Sequence, residues 1–433
     1  MNKQKKIISV IALVIIFLSG IYFYSRQEKI LRVGVFAGSN WDVPQGETYL
    51  IVDEVIKKFQ AENPEIKVQY ESGIKREDYS EWLAEKFIEG EEPDIFFLLA
   101  EDFNLYASTG VLTDLTELIK NDAEVSAEIY YPAAFNYGKF GDRSFALPFE
   151  STLTFMFVNK TLLSREEIAM PENDWTWEDF LNICRKVTKD TDGDGKPDQF
   201  GFYGYSWQQA AIANGVILFR EDGRTSYFAN SQMEEAIRFM IELHNIQQGY
   251  EVTAKDFDMG KVAFRPFTFA EYQTYKPYPW RIKKYSSFEW DCVKMPAGQS
   301  GGNISRLDTL LMAMSSRTKN KTSAWQLMKK FCCDKSIQQM LLKKSQALPV
   351  RRDVIISSET QEIFAWDPTE ERYITPADIN DAMDNSVMPF KFKNYSAAML
   401  YADKEILKII DGTIPFNNSL NKLQKKINAF LQR

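Results

Sequence analysis

Ser144 to Lys160 reads S-F-A-L-P-F-E-S-T-L-T-F-M-F-V-N-K, a long apolar run rich in Phe, Thr and Val with Glu150 in its middle. Aromatic and β-branched side chains suit a pleated, packed surface, so the run predicts a buried β-segment. An ionised carboxylate is seldom buried without partners. Glu150 therefore has two readings: a polar kink turned to solvent, or a side chain aimed into a cleft where the backbone crosses between two lobes. The remainder of the chain favours the second.

Upstream, strands and helices alternate. Leu31–Phe36 reads as a short buried strand that runs into the loop Ala37-Gly-Ser-Asn-Trp-Asp42. A helix over about Thr48–Glu62 carries Val52, Val55, Ile56 and Phe59 on one face, and Pro64 ends it. Ile66, Val68 and Tyr70 alternate as a strand, Trp82, Leu83 and Phe87 mark a second helix, and Pro93–Leu99 is a third strand. Glu101-Asp102 opens the next loop, before a helix closed by Gly110. This order predicts an α/β fold with a mainly parallel sheet and helices on both faces. Ligands in such folds bind beyond the carboxyl ends of strands, so the loops holding Asn40-Trp41 and Glu101-Asp102 should meet at one edge.

With 433 residues the chain has core for two or three domains, and its net charge of -8 argues against a nucleic-acid partner. Lys3, Lys5 and Lys6 precede the uncharged apolar run Ile7–Tyr24, the pattern of an export signal or single membrane anchor. Bulky Ile21-Tyr22-Phe23-Tyr24 favours an uncleaved anchor with the body outside the cytoplasm, while cleavage after Gly20 or Ser25 stays open. Cys184 falls on the apolar face of a helix with Trp177, Phe180, Leu181 and Val187. Adjacent Cys332 and Cys333 leave open one bridge to Cys292 in an exported protein. His244, the one histidine, sits on the apolar side of a helix that Ser231 and Glu234 should cap, and reads as packed rather than catalytic.

Several stretches occur together in an order that resembles the family 1 extracellular solute-binding proteins, the receptor subunits of ABC importers, mostly for sugars and oligosaccharides. They are the G-S-N-W loop and the helix ending K-F-Q-A-E-N-P-E-I-K-V, Pro93–Leu99 with Ser108–Leu115, the Ser144–Lys160 run, Gly260–Phe264, Met295–Phe331 and Ala347–Asp353. The resemblance spans about Ile30 to Gln432. It implies two α/β lobes of the type II periplasmic-binding-protein kind joined by hinge strands. The implied division is 1–29 as signal or anchor, 30–149 plus 291–346 as the first lobe, and 150–290 plus 347–433 as the second. It also implies a monomer that holds a sugar between the lobes and hands it to the transmembrane subunits of an ABC permease.

A sugar site needs aromatic platforms for C–H faces and charged groups for hydroxyls. The platforms expected here are Trp41, Trp207 and Phe267, with Phe149 beside the crossing. Asn40, Glu101, Asp102, Glu150, Glu271, Arg306 and Asp308 are the expected hydroxyl partners. Separately, Asp190-Thr-Asp192-Gly-Asp194-Gly195-Lys196-Pro-Asp198 has oxygen ligands at loop positions 1, 3, 5 and 9, Gly at 6 and the Lys196 carbonyl at 7. That is the first part of an EF-hand loop and predicts a structural Ca2+, although Gly201 stands where a bidentate Glu belongs. The rivals are an exported carbohydrate-active enzyme and a surface sensor or adhesion protein with the same body. Gly298-Gln-Ser300-Gly-Gly302 fits G-x-S-x-G, but the only histidine lies upstream, which argues against a nucleophile elbow.

Overall fold

The computed structural model describes residues 29–41, 43, 49–275, 288–364, 374–392 and 394–432. The apolar run at 7–24 lies outside them, and among the described residues no helix is long and apolar enough to cross a membrane.

The first strands and helices are β1 (Lys29–Gly34), α1 (Leu50–Glu62), β2 (Ile66–Tyr70), α2 (Tyr79–Glu89), β3 (Ile95–Leu98), α3 (Ala100–Thr109) and α4 (Pro132–Tyr137). The quoted run becomes β4 (Ala146–Asn159), 14 residues long against a usual strand of about 5–6. Next come α5 (Trp177–Val187), β5 (Phe200–Phe202), α6 (Trp207–Ala213), α7 (Ser231–Ile246), β6 (Val262–Thr268) and α8 (Phe269–Tyr275). They are followed by β7 (Trp290–Val293), β8 (Leu307–Met314), α9 (Lys321–Cys332), α10 (Lys335–Lys344), β9 (Leu348–Pro349), α11 (Arg352–Ile355) and α12 (Ser358–Phe364). The last helices used here are α13 (Pro376–Asp384), α14 (Tyr395–Ile410) and α15 (Ser419–Leu431).

The strands run β2-β1-β3-β8-β4-β6-β5, with β7 and β9 also paired to β4. β1 is parallel to β2 and β3, and β5 to β6, but every pair made by β4 or β8 is antiparallel. The sheet is therefore mixed rather than mainly parallel. β4 divides its partners along its length. Ala146–Leu153 pairs with β8, whereas Thr154–Val158 pairs with β6 and Met156–Asn159 with β7. Side chains alternate faces with a period of two. Phe155 and Phe157 join the core built on β1, β3 and β8, while Met156 and Val158 join the core built on α5, α6, α7, α14 and α15.

β7 pairs with the distal half of β4 and β8 with its proximal half. After Ala347, α11 and α12 pack on α10, and α13 on α4 and α11. Ile355, Phe364, Ile379 and Met383 share the core that holds β1, β3 and β8. The segment 385–392 then leads towards α14, whose buried face lies in the core of α5, α6 and α7.

β4 carries a bulge. Leu310 pairs with Glu150 and Leu311 with Pro148, so Phe149 is the extra residue. Pro148 has no N–H to give a ladder, which suits an irregularity there. Buried Gln338 restores the pairing, with its amide donating to the Phe149 carbonyl at 2.8 Å and its oxygen accepting from the Val350 N–H at 2.9 Å. Elsewhere α7 is capped by Asn230, not Ser231: its side chain accepts from the Met233 N–H at 2.8 Å, and His244 is half-buried. All four cysteines are buried, and Cys332 and Cys333 are free thiols, so the expected bridge to Cys292 does not form. Gln338→Leu should leave two buried backbone groups unpaired and lower stability by about 2 kcal/mol in urea unfolding; a midpoint equal to wild type would contradict this role.

Candidate functional site

At the carboxyl edge of β1 and β3 the expected loops do meet, through a residue that the sequence did not flag. The Ala37 N–H donates to the Ile74 carbonyl at 2.6 Å, which lays the Asn40 loop beside Arg76. The Arg76 guanidinium donates to the Asn40 amide oxygen at 3.3 Å and pairs with Glu101 at 3.1 Å. Glu101 and Asp102 are not in a loop but in the first turn of α3, where acidic side chains suit the helix dipole. Asp102 is turned away from Arg76 and accepts from the Ser80 hydroxyl at 2.6 Å; burial raises its pKa.

Glu150 is 8% exposed and lines a narrow slot of about 40 Å³ with Ser39, Trp41, Phe97, Phe149 and Gln346. Burial pushes its carboxyl up to about 8, so at neutral pH it is mostly a protonated, neutral acid. The Trp41 indole N–H lies beside it and moderates that rise, yet it is buried without a fully aligned acceptor. Phe149 forms a wall of the slot, but its ring also packs on Phe97 and Phe331 at centroid distances of 5.0 and 5.8 Å, so it is mainly core.

Cross-strand pairing puts Thr152 opposite Asp308 and Glu150 opposite Leu310, so each pair shares a face of the sheet. The Thr152 hydroxyl is buried and has no partner. Asp308 is held by Arg306 at 2.9 Å. Burial and then the Asp308 charge raise the Tyr137 phenol, and burial, opposed by Arg306, raises that of Tyr395. The Arg306–Asp308 pair thus sits between a tyrosine of α4 and one of α14, at the seam of the two lobes. Neither tyrosine was singled out in the sequence.

Three expected residues are elsewhere. Trp207 is 1% exposed in the second core, and its indole donates to Asp403 of α14 at 2.8 Å. Apolar Trp at the first position of a buried helix gains more from packing than from a cleft. Phe267 is equally buried, with ring centroids 5.6 Å from Phe157 and 5.5 Å from Trp290. Glu271 pairs with Arg265 at 3.1 Å and accepts from the Thr268 N–H at 2.8 Å, closing the first turn of α8. The glycines of the G-x-S-x-G run are tucked against the end of α6, where a side chain at Gly301 would fall 2.1 Å from the Ala213 carbonyl oxygen. Ser300 donates to Glu235 at 2.8 Å, so this stretch is a packing device.

In the 190–198 loop, Asp190, Asp192 and Asp194 bring carboxylate oxygens within 4.8 Å of one another. Asp190 accepts from the N–H groups of Gly193 and Gly195 at 2.6 and 2.7 Å, and these bonds lower its pKa. Asp198 faces Thr191 instead, and Gln199 turns inward to the Val187 carbonyl at 2.8 Å. The three-carboxylate part of a cation loop is present, and Asp198 is turned away from it.

A wider hollow of about 630 Å³ lies between α1 and α9, bordered by Glu62, Lys329, Lys330 and Arg351. Its cations are already paired with Asp122, Glu62 and Asp353, so it offers a ligand little unmet bonding. The slot offers more: the unpartnered Trp41 indole N–H lines it beside Glu150, and the unpartnered Thr152 hydroxyl lies two residues further along β4.

A mixed sheet shared by two lobes, with a slot beside the shared strand, is the architecture of a two-lobed solute-binding protein. The chain belongs to the bacterial extracellular solute-binding proteins, whose family model matches residues 54–365, well over half of it. Among solved structures it is similar to the cyclic α-maltosyl-1,6-maltose binding protein of Arthrobacter globiformis, with TM-score 0.77, 17% identity and coverage of 93% of this chain and 99% of that one. The sugar-binding protein MalE of Xanthomonas citri gives 0.74 at 15% identity, covering 93% and 98%. An ABC substrate-binding protein of Listeria monocytogenes in complex with cycloalternan gives 0.69 at 19%, covering 94% and 100%. These likenesses establish the two-lobed fold. An uncharacterized lipoprotein in the oleD 5′ region of Streptomyces antibioticus is 24% identical over 165 residues, 38% of this chain and 34% of that protein. The chain therefore matches about a third of that relative's length.

Because the folded-state pKa of Glu150 is raised from 4.5 to about 8, the native state binds the extra proton between those values and loses stability as pH rises through them. Glu150→Gln cannot ionise. Between pH 5 and 8.5 wild type should lose more unfolding free energy than the variant, at about 1.4 kcal/mol per pH unit at most; parallel losses in urea titrations would contradict a buried neutral Glu150.

Proposed function

We propose that this protein is an extracytoplasmic receptor that captures a carbohydrate, in particular an oligosaccharide, in a cleft between its lobes onto which the Glu150 slot of the first lobe faces, and delivers it unaltered to an ABC permease. The observation that carries this is the pair of buried polar groups without partners, the Trp41 indole N–H and the Thr152 hydroxyl, beside Glu150 and the Arg306–Asp308 pair. Burial without a partner costs about 1–3 kcal/mol per group, which a ligand hydroxyl recovers on binding. A neutral Glu150 can both donate and accept, as a hydroxyl does, without the cost of desolvating a charge. The solved relatives that bind maltosyl-maltose and cycloalternan support the same ligand class. The family and these relatives are binding proteins, which supports capture over turnover.

Ligand that touches both lobes favours the closed arrangement, and the permease reads that shape. Held by the 7–24 segment as an anchor, the receptor would act as a monomer at high local concentration beside the permease. A Ca2+ ion held by Asp190, Asp192 and Asp194, with the Lys196 carbonyl, would stiffen the loop between α5 and β5.

Isothermal titration against maltose-series oligosaccharides, with chromatography of the recovered sugar, tests the main reading. Binding of an intact sugar, weakened at least about tenfold by Trp41→Ala, is expected. A silent panel, or cleaved sugar, would contradict it. For the loop, a calcium chelator should lower the melting temperature of wild type and leave that of Asp190→Ala/Asp192→Ala unchanged; equal responses would remove the ion.

A further inference from the structure

The connector 385–394 is gripped from three directions. Val387 pairs with the seam, with its N–H donating to Ser305 at 3.0 Å and its carbonyl accepting from Leu307 at 2.9 Å. Phe390 and Phe392 then pack into the second core, with ring centroids 5.6 and 5.0 Å from Phe219. Gly223, at φ +67°, leaves room for Phe392, since a side chain there would fall 2.3 Å from its ring. Between these two rings, Lys391 points the other way. Its ammonium donates to the carbonyls of Asn136 at 3.3 Å, Lys139 at 2.7 Å and Tyr137. It also lies 4.4 Å from the centre of the Phe103 ring and 4.8 Å from that of Tyr137.

Asn136 and Tyr137 form the last turn of α4, which packs on β4 and β8 in the first lobe, and Lys139 follows just beyond it. The helix dipole and the ring faces favour a cation there, while burial and then the Lys139 charge pull the Lys391 pKa down to about 7. Neighbouring residues of one short connector are thus fixed to opposite lobes, Phe390 and Phe392 to the second and Lys391 to the first. Lys294, on the second-lobe side of the seam, makes a parallel tie to Asp381 of α13 at 2.7 Å. Any rotation of the lobes about β4 must either carry α4 with the connector or pull the ammonium from its carbonyls.

We propose that Lys391 is a latch residue: its contacts with the end of α4 hold the lobes in the arrangement described here and so set the free energy that ligand must supply to change it. This rests on the hinged-receptor reading above. Loss of the latch removes a hydrogen-bond donor shared among three carbonyls, and the population ratio of the two arrangements shifts by about tenfold.

The test uses the ligand-free protein with spin labels at Ile88→Cys and Ile217→Cys, both exposed, one on each lobe, while the four native cysteines are buried. Pulsed-resonance distances are read for this pair alone, with maltotetraose, and with Lys391→Met added. The latch predicts that Lys391→Met shifts weight from the distance seen in the ligand-free pair toward a second one, and a distribution identical to that of the parent pair overturns it. Should Lys391→Met not fold, Lys391→Gln, whose shorter side chain stops before the carbonyls, carries the same two outcomes. If the parent pair shows one narrow distance under every condition and every variant, the hinge itself fails, and the latch with it. If maltotetraose moves the parent pair but the Lys391 variants do not, the hinge stands and the latch alone is overturned.

Discussion

The structure depends on one strand being shared by two cores. Fourteen residues of continuous β-backbone pair first with β8 and then with β6 and β7, so neither half of the sheet is complete without the other. Covalent continuity through hydrogen-bonded strand limits how the lobes can move. They can twist about β4, but they cannot slide along it without breaking ladder bonds. The same constraint puts irregularity and polarity at the crossing. The bulge at Phe149 re-aims Glu150, and Gln338 recovers the bonding that the bulge loses. A carboxyl that would be costly in a regular core strand becomes the floor of a slot.

Electrostatics at the slot favour a neutral guest. A buried acid held mostly protonated, an indole N–H and a hydroxyl present donors and acceptors with little net field. The charged groups nearby are neutralised in place, Arg76 against Glu101 and Arg306 against Asp308. Such ion pairs contribute little to stability at the surface, but they fix the positions of loop residues such as Asn40. The site thus offers many hydrogen bonds without a charge to be matched, which suits polyhydroxylated molecules better than ions.

Much of the fold was legible from periodicity. The strands at β1, β2 and β3, the intervening helices and the crossing strand all carry the spacing that their burial requires. The edge where Asn40 and Glu101 meet follows from strand order alone. What could not be read is orientation. Trp207 and Phe267 carry the right chemistry for a sugar platform, yet aromatic residues next to buried strands and helices more often complete a core, as both do here. Glu271 looked like a cleft carboxylate, but the Thr268-x-x-Glu271 spacing was a helix-start signal that could have been recognised. Thr152, Tyr137 and Tyr395 gave no signal, because their place depends on cross-strand register and on α14 returning to the seam. The packing of α11 to α13 on α10 and α4 was hidden for a similar reason, since it rests on contacts that local pattern does not encode.

The most direct measurement is a crystal structure of the protein grown with a maltose-series oligosaccharide. The account predicts sugar in the seam, with hydroxyls on the Trp41 indole, Glu150 and Thr152 from the first lobe and at least one contact from the second. Sugar bound only at the hollow beside Lys329 and Lys330, with Trp41 and Thr152 still unpartnered, would contradict it.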